Sequence, residues 1–218
     1  MCGVGGVLNI RRNTSTSLGL LSLGFAMAHQ LKSEDGSVEF RNRIVLERPK
    51  LAALLGAIAA EWGSLEVDII EMYAAVMGYG YIRYPSAGDR GFIPAHPVAL
   101  QVFDAIESRH HRMLLLAKLI SWVFPDQAEE FRKEVEPAIR RAASGRNKFE
   151  HAAWGLCPKY SNALIHVPTF GHFVAYYESD FNKALDGIIE ARNMVRKFER
   201  KMINSTSRKN PLAQGLPT

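Results

Sequence analysis

From residue 51 onward the apolar residues of this chain recur every three or four positions, and no other feature restricts its fold as strongly. Leu51, Leu55, Ile58, Trp62, Leu65, Ile69, Met72 and Val76 step along one helical face, while Glu61, Ser64, Asp68 and Glu71 fall on another. Gly78, Gly80, Pro85 and Gly88 end this helix and make a loop. Pro97 suits the first turn of a second helix, which is expected to carry Phe103, Ile106, His110, Met113, Ala117, Ile120 and Phe124 inward. Pro125-Asp126 closes it and opens a third, with Asp126 as cap and Glu129 at capping-box spacing. Pro137 lies inside the third pattern and predicts a kink or break, because proline lacks the N–H that the helix ladder needs. A last helix carries Tyr177, Phe181, Leu185, Ile188, Val195, Phe198 and Met202. Before it, residues 163–167 and 173–176 are short apolar runs that predict a small β-hairpin across Pro168 to Gly171. The expected fold class is therefore all-α: a four-helix bundle with a small β-hairpin before the last helix, and no internal repeat. The helical domain is expected over residues 45–208, after a poorly ordered N-terminal extension over 1–44 and before a C-terminal tail over 209–218.

Composition narrows the functional classes. A chain of 218 residues that is 47% hydrophobic and 22% charged supports one full-sized domain with a real core. Its longest apolar stretch, Leu51 to Ala60, is half of what a bilayer-spanning helix needs, so no membrane span is expected. Two cysteines, Cys2 and Cys157, do not make a disulfide framework in a chain of this length, which fits a reducing, cytoplasmic setting. The net charge of +5 is uneven. Residues 192–209 hold seven basic side chains and one acid, Glu199, while the remainder is close to neutral. Any affinity for a polyanion such as RNA is therefore expected to be local, with Arg192, Arg196, Lys197, Arg200 and Lys201 as the contacts.

The first 44 residues admit two sharper readings. Arg11-Arg12, the apolar run Leu18 to Ala28 and Ala26-Met27-Ala28 have the order of a secretory signal, but Ser22 and two glycines break the run and the basic pair sits far from Met1. Met1-Cys2-Gly3-Val4-Gly5-Gly6 resembles the start of class II glutamine amidotransferases. That resemblance implies Cys2 as nucleophile, with its own α-amino group as base. The family also has a strand-rich sandwich and an Asn-Gly loop, and nothing after residue 45 supplies either, so Cys2 is read as an ordinary N-terminal residue. Metal and cofactor chemistry find no motif. Glu107-x-x-His110 occurs once where a di-iron bundle needs it twice, and Cys157, His166 and His172 have no ligand spacing. His-Glu-x-x-His, Cys-x-x-Cys, a P-loop and a dinucleotide fingerprint do not occur in the chain.

The hexad Arg146-Asn147-Lys148-Phe149-Glu150-His151 stands apart, because it is polar at both ends and follows Ser144-Gly145. Asn147 and His151, four apart, share a helical face. Arg146 and His151, five apart, point roughly 140° from each other on a straight helix. A joint site then requires a helix start at the motif, a long arginine reaching around, or a second copy of the chain packed about a two-fold axis.

Arg146 and His151 with four residues between them, and Asn147 directly after the arginine, resemble the Arg-x4–6-His signature of the HEPN superfamily, in which all-α, generally dimeric domains include many metal-independent endoribonucleases. Ala152, Ala153, Trp154 and Gly155, the hairpin and the final amphipathic helix repeat the order found in bacterial HEPN-like proteins, although the family often has glycine directly after the histidine and this chain has Ala152. The resemblance spans roughly residues 50–205 in pattern and about ten residues in motif. It implies a homodimer that cleaves RNA by attack of the 2′-hydroxyl, without a cofactor. His151 would act as acid/base, Arg146 as charge stabiliser and Asn147 as positioner, with Glu150 and Trp154 in support. The alternative is a non-catalytic helical module that binds RNA or a partner protein. There Arg146 pairs with Glu150, His151 packs or caps, Trp154 is core and the basic stretch is a solvated face.

Overall fold

The structure, a computed structural model, describes residues 6–8, 28–32, 35–77, 97–167 and 171–209. Helix predominates, accompanied by a small antiparallel sheet of four strands. The elements are β1 (Gly6–Leu8), β2 (His29–Gln30), β3 (Val38–Phe40), α1 (Pro49–Val76), α2 (Pro97–Asp104), α3 (Arg109–Val123), α4 (Ala128–Glu130), α5 (Glu136–Glu150), β4 (Ala153–Gly155), β5 (Leu164–Val167), β6 (Val174–Tyr176) and α6 (Glu178–Lys209). The chain divides into two compact units, one from the described parts of residues 1–60 and 144–186, the other from those of 61–143 and 187–218. Helices α1, α5 and α6 contribute segments to both.

The first unit is built on the sheet, in the order β2-β6-β5-β4. The expected hairpin is present: Leu164 faces Tyr176, Ile165 faces Ala175 and His166 faces Val174. It is wider than expected, because β4 pairs with β5 and β2 with β6. Strand β3 joins through a bridge from Glu39 to Leu156, with backbone hydrogen bonds of 2.8 Å in both directions. This approach requires Gly155, where a Cβ would lie 2.7 Å from Val38 Cγ1 and 2.9 Å from the Glu39 carbonyl oxygen. Leu31, Val38, Cys157, Ala163, Ile165 and Ala175 form the core beneath. Residues 28–32 and 35–44 were expected in a poorly ordered extension and are instead part of this unit, because Leu31 and Val38 bury apolar surface and Asp35 is locked in place. The Asp35 carboxylate accepts from the Lys32 N–H at 2.7 Å and the Tyr160 hydroxyl at 2.7 Å, and it pairs with Lys159. The signal-like run of residues 18–28 and the tail expected over 209–218 fall almost wholly, and Cys2 entirely, outside the described residues, Lys209 being the last residue of α6.

The second unit is helical. Along α1, whose first twelve residues belong to the first unit, seven of the eight positions expected inward are buried and Leu55 is half-buried. The second predicted helix departs from expectation. It is two helices, broken at residues 105–108, and α3 restarts at Ser108, whose hydroxyl accepts from the His111 N–H at 3.4 Å. Arg112 holds the break by donating to the carbonyls of Ile106 (2.6 Å) and Asp104 (2.7 Å). Of the positions expected inward, Phe103, Met113, Ile120 and Phe124 are buried, Ile106 and Ala117 are half-buried and His110 is exposed, while Leu116 is buried in addition. In place of a helix capped by Asp126, residues Pro125–Gln127 form a 3-10 turn before α4. Pro137 acts through the turn before it. Phe131–Val135 is a π-helical segment in which the Glu136 N–H bonds to the Phe131 carbonyl, widening the ladder where the proline supplies no donor.

Candidate functional site

Helix α5 runs through Ser144 and Gly145 without interruption and ends at Glu150. Gly145 lies in the stretch facing Ala184 of α6, where a Cβ would sit 3.9 Å away, an ordinary contact. The end of the helix is fixed by Phe149. Its ring is buried against Phe181 (4.7 Å between centroids), Tyr176 (5.2 Å) and Trp154 (6.2 Å). Trp154 in turn contacts His166, its cross-strand partner on β5, at 6.1 Å. Trp154 is thus a half-buried packing residue that anchors the strand leaving the motif. Burial pushes the His166 imidazole below its ordinary value and the Tyr176 phenol above its own, with Asp180 adding to the latter.

Arg146 and His151 both lie against one carboxylate, that of Glu150. Arg146 forms an ion pair with Glu150 and donates to Asn147 Oδ1 at 3.2 Å. His151 Nε2 lies 3.8 Å from Glu150 Oε2. The straight-helix angle between Arg146 and His151 does not apply here, because His151 sits in the turn beyond the helix end, and Glu150 lies against both. Its side chain is 73% exposed, whereas that of Arg146 is 16% exposed. The arrangement offers an accessible imidazole beside a mostly covered guanidinium that Glu150 already neutralises. A phosphate entering this site would compete with Glu150 for Arg146.

The basic residues of α6 divide into two groups. Arg192 donates to Asp68 at 2.9 Å and to Glu61 at 2.7 Å, and Arg196 donates to the same Asp68 at 3.1 Å. Lys201 pairs with Glu130. Asp68 is buried, so this is a fold-specific cluster in which one carboxylate orders two guanidinium groups, and the hydrogen bond that Arg192 donates to Asp68 is the first cause of its raised pKa. Lys197 and Arg200 are exposed and form no ion pair among the described residues.

Two groups escaped sequence reasoning. Asp35 is buried beneath the exposed Lys159 and the half-buried Tyr160 and beside the buried Cys157, whose thiol lies 3.4 Å from the Asp35 carbonyl oxygen. The Lys159 bond, the Lys32 N–H and the Tyr160 hydroxyl hold the Asp35 carboxyl well below the ordinary carboxylate range. Burial, followed by the bond to Asp35, pushes the Tyr160 phenol up to about 12. Only the turn-forming pair Asp35-Gly36 marked this place in the sequence. The other group is Glu199, buried in α6, whose spacing from Val195 and Met202 did signal an inward position. Burial, then the charges of Glu71 and Asp68, push its carboxyl up to about 7.

Among the described residues no group of three or more His, Cys, Asp or Glu side chains is placed to hold a metal ion, and no helix is long and apolar enough to cross a membrane. No family model, curated protein or solved structure matches the chain.

Proposed function

We propose that this chain is a HEPN-like, metal-independent endoribonuclease, with a bundle of four helices that acts as a cytoplasmic homodimer. The observation that carries the reading is the shared carboxylate: Glu150 contacts both Arg146 and His151 at the end of one helix, with Asn147 on the same guanidinium. RNA supplies its own nucleophile, the 2′-hydroxyl beside the scissile phosphate. His151 takes that proton as the new O–P bond forms, or protonates the departing 5′-oxygen as the old bond breaks. The products are a 2′,3′-cyclic phosphate and a 5′-hydroxyl end. Arg146, exchanging Glu150 for the phosphoryl oxygens, stabilises the charge of the five-coordinate phosphorus, and Asn147 keeps the guanidinium in place. A second copy of the motif across a two-fold axis would complete the cleft.

The test incubates the purified chain in EDTA with single-stranded RNA, beside DNA of the same sequence. RNA alone should be cut. His151→Ala and Arg146→Ala should each lower the rate about 100-fold or more while leaving helicity unchanged. DNA cleavage, a metal requirement, or full activity in either variant overturns the reading.

A second reading, a non-catalytic helical interaction or RNA-binding module, is favoured by the neutralised state of Arg146, whose side chain is mostly covered and already paired. It predicts no cleavage by the parent chain, with the same two substitutions changing binding or self-association instead.

A further inference from the structure

We infer that a groove along the C-terminal half of α6 is a second site, one that binds a phosphoryl group carried on a hydroxyl-bearing body. The inference does not rest on the ribonuclease reading. The groove encloses about 740 Å³ in the second unit, with Gln127 from the 3-10 turn before α4 on one side and α6 on the other. Lys197, Arg200, Lys201 and Asn204 line it at spacings of three and four, which place them on a single stripe of the helix. Arg196 and Lys201 are matched by Asp68 and Glu130, but Lys197 and Arg200 have no ion-pair partner among the described residues. Two unmatched cations in a concavity concentrate positive potential where an anion would sit.

The second observation concerns Gln127. Gln127 lines the groove and is only 8% exposed, and its buried Oε1 makes no hydrogen bond among the described residues. A buried carboxamide oxygen without a donor is uncommon in folded proteins, and a groove-lining one is suited to a ligand hydroxyl. A half-turn of the same amide would instead present N–H groups to phosphoryl oxygens. Among the described residues that line the groove none is aromatic; what they offer is cations, amides and a hydroxyl, groups that suit phosphoryl oxygens and hydroxyls. Recognition therefore falls to phosphoryl oxygens and hydroxyl groups, whether from a small sugar phosphate or from the backbone of an RNA strand.

Calorimetric titration of the full chain with pyrophosphate, ribose 5-phosphate and an eight-nucleotide single-stranded RNA separates these sources. Pyrophosphate and ribose 5-phosphate should both bind, and Lys197→Ala or Arg200→Ala should each weaken binding about tenfold. Both are exposed side chains, so the fold is not at risk. Gln127→Leu should weaken ribose 5-phosphate more than pyrophosphate, and equal effects on the two overturn the role of Gln127. Binding of the RNA alone, with the same loss in Lys197→Ala and Arg200→Ala, supports the site and assigns its phosphoryl group to a strand. No binding of any probe at millimolar concentration, or binding unchanged by both lysine and arginine substitutions, overturns the inference. The hexad at 146–151 is intact in all these variants, so this outcome is separable from failure of the nuclease reading.

Discussion

Replacing Glu199 by glutamine should stabilise this protein in alkaline solution and leave it nearly unchanged in acid. Glu199 is 5% exposed, and burial is the foremost reason its carboxyl is pushed from an ordinary 4.5 up to about 7. The charges of Glu71 and Asp68 add to the shift, while Arg200 and Arg196 oppose it. In the unfolded chain the group releases its proton near 4.5, so between that pH and about 7 the folded state holds a proton that the unfolded state has lost. The associated stability is complete below pH 4.5, declines between 4.5 and 7, and is absent above. A displacement of this size corresponds to ~3 kcal/mol as an upper figure, or ~1.5 kcal/mol if half the field is screened by solvent. Glu199→Gln keeps the shape of the protonated acid and removes the titration. Urea unfolding of parent and variant, followed by far-UV circular dichroism across pH 4.5 to 8.5, measures the difference. The two curves should converge near pH 4.5 and separate by ~1.5–3 kcal/mol above pH 8, with the variant more stable. A variant destabilised by the same amount at every pH would refute the reasoning, because the native carboxylate would then be ionised and paired.

Four further outcomes follow from the same contacts. Asp68→Asn removes the carboxylate that orders Arg192 and Arg196 in a buried setting, and should cost about 3–5 kcal/mol in urea unfolding. Gly155→Ala should destabilise by about 1–3 kcal/mol and loosen β3, read as faster amide exchange at the Glu39 and Leu156 N–H groups, since the added Cβ meets Val38 and the Glu39 carbonyl. Asp35 is held below its ordinary value of 3.8 chiefly by Lys159, so its contribution is present above that pH and lost as the solution becomes more acid. Lys159→Ala should therefore move the acid-unfolding midpoint to higher pH. Finally, if only Lys197 and Arg200 meet an RNA backbone, log K against log salt should have a slope near about −1.4, whereas engagement of all five basic residues of α6 between 192 and 201 gives about −3.5; fluorescence anisotropy with a labelled oligonucleotide distinguishes the two.

The helices were legible because burial in a helix imposes a period that apolar residues cannot hide. Leu51, Ile58, Trp62 and Leu65 announce α1, and Phe181, Ile188, Val195 and Phe198 announce α6, all of them buried. The break at residues 105–108 was not legible, since no proline or glycine marks it. It depends on Arg112 reaching two backbone carbonyls, a contact decided by tertiary structure. The strands at His29–Gln30 and Val38–Phe40 were missed for a related reason. Two or three residues are too few to show alternation, and although Val38–Phe40 also pairs with Gly6–Leu8, the contacts that tie these strands into the sheet, β2 with β6 and Glu39 with Leu156, span more than a hundred positions.

The hexad at 146–151 stands out in the sequence by its residues, whereas the geometry of those residues was not legible there. A straight-helix projection separates Arg146 from His151, but it applies only while the helix continues. Here Glu150 is the last helical residue, and the chain must leave the helix axis at once for Ala153 and Trp154 to pair with Val167 and His166. His151 therefore occupies the turn between two elements whose positions are fixed independently: α5 through Phe149 in the aromatic cluster, β4 through its ladder to β5. The carboxylate of Glu150 bridges what the helical projection set apart, and that bridge follows from where the helix stops more than from the spacing of the motif. The charges of α6 carry the same lesson in reverse. Arg192 and Arg196 look like a surface footprint in the sequence, yet Asp68, about five turns of α1 from Lys50, the one basic residue of that helix, is buried so as to hold them both. Local charge density identifies the helix that bears the cations, while the fold decides which of them remain available to a ligand.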